Sequence, residues 1–161
     1  LEEVVLPKGF YWQLAGFGRE RSLEDWKALG VKLRKEKSRI DESFYSTLLL
    51  PQGKKGPAFL AFKNFEVYLK WNDSFIYTVT AAHLAKRLGG AKKYIHKNPS
   101  DILDIESMIK LQNLLKSRGY DVGKVDGILG AKTRQAVRLV QLEFGISADS
   151  WPTNELLRKL Q

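Results

Sequence analysis

A mainly α, α+β fold with a small antiparallel strand element and a separate three-helix unit is predicted by three observations. Apolar residues recur every three or four positions in four stretches, two strand-length apolar runs flank a loop rich in proline and glycine, and the composition is globular. With 43% hydrophobic and 28% charged residues, the 161 positions suffice for one ordinary domain or two small ones.

Residues 1–45 mix short apolar pieces with turn residues such as Leu6-Pro7-Lys8-Gly9-Phe10, and the charged stretch from Lys32 to Glu42 reads as a solvated helix or loop surface. The apolar runs at 47–50 and 58–62 are separated by Pro51-Gln-Gly-Lys-Lys-Gly-Pro57, which predicts a β-hairpin. After Asn72-Asp73-Ser74, three residues of capping type, Phe75, Val79, Ala82, Ala85 and Leu88 share one helical face until Gly89-Gly90, so a helix is expected over about 74–88. The stretch at 91–103 has little periodicity and several lysines. It reads as a linker, dividing the chain into units at 1–92 and 104–161 with the linker at 93–103.

In the second unit, Ile105, Met108, Ile109, Gln112 and Leu115 form a stripe that ends at Gly119, with Asp104 as a candidate N-cap. A second helix follows the turn Val125-Asp126-Gly127-Ile128-Leu129-Gly130 and carries Thr133, Ala136, Val137, Val140 and Phe144. A third, short helix is expected over about 153–160. Three helices in fewer than 60 residues bury a modest core that can still fold alone.

The net charge of +9 favours an anionic partner: nucleic acid, acidic lipid or acidic polysaccharide. Residues 1–97 hold 18 of the 27 basic and 10 of the 18 acidic side chains, so the excess lies in the first unit. No cysteine is present, which removes disulfides and thiolate metal sites. The two histidines, His83 and His96, have no second ligand at metal-binding spacing, so no metal is expected. The longest apolar runs are too short to span a bilayer. The start at Leu1, with neither initiator methionine nor signal peptide, reads as a processed protein or a fragment. The basic clusters at 34–39 and 54–55 lack a groove-reading motif or stacking platform, so nucleic acid is not the expected partner.

The combination Leu111-Gln112, Arg118-Gly119-Tyr120, Val125-Asp126-Gly127-Ile128-Leu129-Gly130, Thr133, Ala136-Val137 and Gln141 resembles the peptidoglycan-binding domain appended to many wall hydrolases. Upstream, Leu48-Leu49-Leu50-Pro51, Gly53, Gly56-Pro57-Ala58-Phe59-Leu60, Asn64-Phe65 and Trp71-Asn72-x-Ser74-x-x-Tyr77 resemble the C-terminal part of the catalytic domain of the membrane-bound lytic murein transglycosylase B family, glycoside hydrolase family 103. Lys63, Lys70, Thr78 and Thr80 depart from that family's usual residues without removing a group its chemistry requires. The resemblance implies a fragment of a lysozyme-like catalytic lobe followed by a wall-binding module.

It also implies cleavage of the β-1,4 bond between N-acetylmuramic acid and N-acetylglucosamine to a 1,6-anhydro product, without cofactor. One glutamic acid first protonates the glycosidic oxygen and then accepts the muramyl hydroxyl proton. The family's Glu-Ser/Thr-x-Phe-Gly motif does not occur here, so this acid is expected upstream of Leu1 and the chain itself is expected to be inactive. Peptidoglycan glycan strands are the implied partner, in the periplasm or at the outer membrane. A lipid anchor on a preceding segment and a separate N-terminal chain of the same protein are compatible with it. The alternative is a non-catalytic wall-binding or scaffolding protein.

Trp71, Asn72 and Tyr77 match positions where the family contacts sugar, and aromatic faces with an amide suit pyranose rings. They also suit core aromatics beside a capped helix start. Asn64 and Phe65 could line the cleft floor or form a turn and a core residue. In the module, Tyr120 and Trp151 could face a ligand groove or complete the core, and Asp126, Gly127 and Thr133 serve turn architecture or touch the wall polymer. Glu20, Glu24, Glu42 and Glu66 read as surface acids, Glu66 in a strand-like stretch.

Overall fold

The computed structural model describes every residue except 36–39, 72, 73, 96, 100 and 101, with the side chain of Trp71 also outside the described set. The first unit is built on a five-stranded sheet. In chain order its strands are β1 (Glu2–Val5), β2 (Arg21–Ser22), β3 (Lys32–Leu33), β4 (Tyr45–Leu49) and β5 (Ala58–Phe62). Their spatial order is β2-β4-β5-β1-β3, and every pairing is antiparallel.

The expected hairpin is therefore the centre of a larger sheet, with Leu48 opposite Leu60 and Leu49 opposite Phe59. Its apolar run is continuous because both faces are covered. Leu48, Leu50, Ala58 and Leu60 pack with Val4, Leu23 and Trp26, whereas Leu49 and Ala61 pack with Phe65, Phe75, Val79 and Ala82. Alternate side chains point to opposite faces, so the two cores together take Leu48, Leu49, Leu50, Ala58, Leu60 and Ala61 from the run. The remaining strands are short pieces of two to four residues, too brief for an alternation to show in the sequence.

One face is closed by α1 (Leu23–Ala28), capped by Ser22 accepting from the amide of Asp25. From it Trp26, fully buried, donates its indole N–H to the carbonyl of Ser46. The other face carries α2 (Phe65–Trp71) and α3 (Phe75–Leu88). The stretch read as strand-like around Glu66 is thus a helix: Phe65, Tyr68 and Leu69 recur at three and four residues and face the sheet. Seven residues are too few for that period to stand out beforehand.

The second unit comprises α4 (Ile105–Ser117), α5 (Ala131–Glu143) and α6 (Asn154–Leu160) around Met108, Leu111, Leu115, Val137, Val140, Trp151, Leu156 and Leu160. Asp104 caps α4 by accepting from the amide of Ser107, and Thr153 caps α6 by accepting from Leu156. The intervening segment is no free tether. The amide of Ile95 donates to Glu3, Arg34 donates to the carbonyl of Lys93, and Tyr94 packs edge-on against His83.

Candidate functional site

Of the expected sugar-contact residues, Asn64, Phe65 and Tyr77 are placed by the turn after β5, the start of α2 and the start of α3. Asn64 is exposed in the turn before α2, and Tyr77 is 48% exposed in the first turn of α3. Phe65 is only 4% exposed, inside the core between sheet and helices, which leaves it no face for a sugar: it is a core residue of the turn-and-core pattern, not cleft floor. The backbone of Trp71 ends α2, while its side chain and all of Asn72 lie outside the described residues. Ser74 caps α3, its hydroxyl accepting from the amide of Tyr77, while the other capping candidates, Asn72 and Asp73, lie outside the described residues.

None of the four glutamates has the surroundings of a general acid, which must stay protonated near neutrality in a desolvated pocket. Glu20, Glu24, Glu42 and Glu66 are all exposed. Glu20 is held below the usual carboxylate range, first by its own backbone amide and then by the Gly18 amide and the Thr47 hydroxyl. Glu42 pairs with Lys27. The acids with shifted titration, Glu20, Asp41, Asp104 and Asp121, all move downward. Among the described residues no group of three or more metal-ligating side chains occurs, and no helix is long and apolar enough to cross a membrane.

In the second unit the turn residues surround a buried glutamine. Gln112 is completely enclosed, its amide oxygen accepting from the backbone N–H groups of Asp126 and Gly127, its amide nitrogen donating to the Ile128 carbonyl and the Thr133 hydroxyl. Thr133 donates onward to the Val122 carbonyl, and Asp126 accepts from the amide of Ile128. Gly127 sits at φ +76°, where a Cβ would come 2.8 Å from Ile105. These contacts show Asp126, Gly127 and Thr133 holding the turn around Gln112. Trp151 is a buried core residue; Tyr120 is half-buried on that core, with its hydroxyl donating to Glu143.

Residues that the pattern reading did not single out join the two units. Arg134 of α5 donates 2.7 Å to the carbonyl of Pro51, and Arg138, one turn on, donates 2.7 Å to the carbonyl of Gln13. The Arg134 guanidinium lies 4.5 Å from the ring centre of Phe75 and 5.6 Å from that of Trp151. Asp149 accepts from the amide of Lys54, and Gly53 lies so close to Trp151 that no side chain fits between. Burial lowers the Arg134 pKa to about 10, against a smaller raising effect of Asp149, so the cation persists at neutral pH. Two arginines on a helix four apart look like ordinary solvated charge; only an absence of an i,i+4 acidic partner on α5 hinted otherwise.

Beside these contacts lies a cleft of about 400 Å³ lined by residues 15–18, Leu49, Leu50 and Phe75 from the first unit, with Ala131, Lys132, Arg134, Gln135, Asp149 and Ser150 from the second.

The structure is thus a sheet-and-helix lobe with a docked three-helix module. Comparison gives each part a family: residues 1–86 match the transglycosylase SLT domain and residues 105–160 match a peptidoglycan binding domain. The chain belongs to the transglycosylase SLT domain family. It is similar to SltB3 from Pseudomonas aeruginosa in two crystal structures. One is in complex with NAG-anhNAM-pentapeptide, at 39% identity, and the other with NAG-NAM-pentapeptide, at 38%. Each match has a TM-score of 0.79 and covers 99% of this chain and 44% of that one, so the chain spans less than half the length of these relatives. No curated protein matches it.

Proposed function

We propose that this chain is part of a lytic transglycosylase that cleaves the β-1,4 bond between N-acetylmuramic acid and N-acetylglucosamine, leaving a 1,6-anhydro end. In this reading residues 1–92 are the C-terminal portion of the catalytic domain, 93–103 the connection and 104–161 a module that holds the enzyme on the insoluble polymer. Concentrating the enzyme on its substrate is the physical advantage of such a module. The observation that carries the reading is the succession of a transglycosylase domain and a peptidoglycan binding domain on one chain. The proton chemistry belongs to a glutamate outside these 161 residues, on preceding sequence or on a separate chain, because the sequence has no Glu-Ser/Thr-x-Phe-Gly motif. Tyr77 and Asn64, with Trp71 and Asn72, then contribute the rim of the glycan cleft. The periplasm or the outer membrane is the compartment where this substrate lies.

The absence of that motif also supports a second reading, a non-catalytic wall-binding protein. Co-sedimentation with purified insoluble peptidoglycan at moderate salt, with a chain ending at Lys97 as control, tests what the two readings share. Retention that requires residues 98–161 is the expected result. No retention of the complete chain, together with salt-sensitive binding to DNA, would overturn both readings in favour of a nucleic-acid partner. Release of anhydro-muropeptides by the chain alone would separate them.

A further inference from the structure

We propose that Arg134, on the module, is a positioning residue for the glycan rim: through the ring of Phe75 it sets the first turn of α3, the turn that carries Tyr77. The inference rests on the rim reading above and deepens it, because the module then shapes the site as well as holding the enzyme on the polymer.

Three observations carry it. The first is where the Arg134 side chain goes. Only 6% exposed, it leaves α5 and crosses to the first unit, where its guanidinium lies 4.5 Å from the ring centre of Phe75 while staying 5.6 Å from that of Trp151 in the module's own core. Its bond to the Pro51 carbonyl fixes it there. A planar cation held over an aromatic ring away from water is bound in one orientation, which a lysine ammonium does not reproduce.

The second is what Phe75 does. It is the first residue of α3 and 4% exposed, in the core with Leu49, Ala61 and Phe65, and Phe17 meets its ring edge-on at 6.0 Å. With Arg134 over the ring from the module, the start of α3 is held by both units.

The third is what the same turn carries. Ser74 caps it, its hydroxyl accepting from the Tyr77 amide and its carbonyl from the Thr78 amide. Residues two apart on a helix point to nearly opposite sides, so Phe75 turns inward and Tyr77, 48% exposed, turns outward on one rigid turn. A shift at Phe75 is therefore delivered to Tyr77, and a displacement of roughly 1 Å at a substrate contact can slow a reaction about a hundredfold. Arg138, one turn along α5, anchors the junction elsewhere, at the Gln13 carbonyl, and so serves as the control.

The test compares Arg134→Lys with Arg138→Lys, two variants that keep the charge and weaken the junction at different places. In the complete 161-residue chain, amide hydrogen exchange at Tyr77 and Thr78 should be about tenfold faster in Arg134→Lys than in Arg138→Lys, with the β4–β5 amides protected in both. In a catalytically complete protein acting on a soluble, uncrosslinked glycan oligomer, Arg134→Lys should lower kcat about fivefold and leave KM within about twofold, whereas Arg138→Lys should turn over like the parent. A module that only tethers leaves this soluble reaction untouched. Phe75→Leu should lower kcat to the same extent, and adding Arg134→Lys to it should cost nothing more, because the two act through one contact. If Arg134→Lys loosens the fold, Phe75→Leu, which leaves the bonds to Pro51 and Gln13 in place, decides alone. Equal exchange at Tyr77 and Thr78 in the two lysine variants overturns the proposal, as does parental kcat in Arg134→Lys where Tyr77→Ala is slowed. Parental kcat in Tyr77→Ala sinks the rim reading instead, and the exchange comparison then decides whether Arg134 sets the turn.

Discussion

The guanidinium of Arg134 donates to the main-chain carbonyl of Pro51, closing a 2.7 Å bond across 83 sequence positions and between two separately cored units. Replacing Arg134 with Met keeps much of the bulk but strands that carbonyl and removes the cation from the faces of Phe75 and Trp151. A charge-assisted bond of this kind contributes about 1.5–3 kcal/mol. The variant should unfold at lower temperature and show a larger radius of gyration in small-angle scattering. An unchanged radius would mean that Arg138 and Asp149 suffice to hold the module.

Gly53→Ala probes the same junction from the other side. The residue sits at φ +68°, and an added Cβ would lie 2.5 Å from the Cβ of Trp151. A strained backbone of this type costs about 1–3 kcal/mol, and the clash adds to it. Calorimetry should show the two units melting in separate transitions. Gly18→Ala is the control, with a similar φ of +75° but open space around its Cβ, and should keep a single transition.

Gln112→Leu should damage the module selectively. The substitution leaves the partly buried amides of Asp126 and Gly127 without their acceptor and removes a donor from Ile128 and Thr133. Each buried group left unsatisfied costs about 1–3 kcal/mol. Hydrogen exchange should accelerate throughout α4 and α5 while the β4–β5 amides stay protected. Protection retained in α4 and α5 would show that the turn reorganises around the apolar side chain.

Burial holds the His83 imidazole below its ordinary value of 6.5, with Glu3 opposing and Arg87 and Lys86 reinforcing the shift. The unfolded chain therefore takes up this proton before the folded one does as pH falls. His83 thus favours folding fully above pH 6.5 and progressively less from there down to its folded pKa. The melting temperature should fall more between pH 7 and pH 5.5 in the parent than in His83→Asn. Parallel pH profiles would show that the imidazole is solvated.

Tyr77→Ala and Phe65→Ala should behave oppositely in a catalytically complete protein. Phe65, enclosed between sheet and helices, should cost about 3–5 kcal/mol of stability. Tyr77, half exposed on α3, should cost under about 1 kcal/mol yet slow turnover of glycan strands. Equal losses of stability and turnover in Tyr77→Ala would return that side chain to a packing role.

The sequence by itself determined the helices that are long enough to display a period. The stripes of α3, α4 and α5 and the cap Asp104 follow from local chemistry that each segment carries alone. The motifs likewise identify both family domains, because turns such as Asp126-Gly127 demand particular residues at fixed offsets. Tertiary structure decided the rest. Strands of two residues have no period, so β2 and β3 exist only by pairing with β4 and β1. The helix at 65–71 depends on the sheet face that buries Phe65. Whether an aromatic is rim or core depends on what packs above it, which separates Tyr77 from Phe65 and Trp151. Above all, the bonds from Arg134 and Arg138 to Pro51 and Gln13 end on main-chain carbonyls. Every residue type carries a carbonyl, so no pattern in the sequence marks the one that a distant arginine will reach.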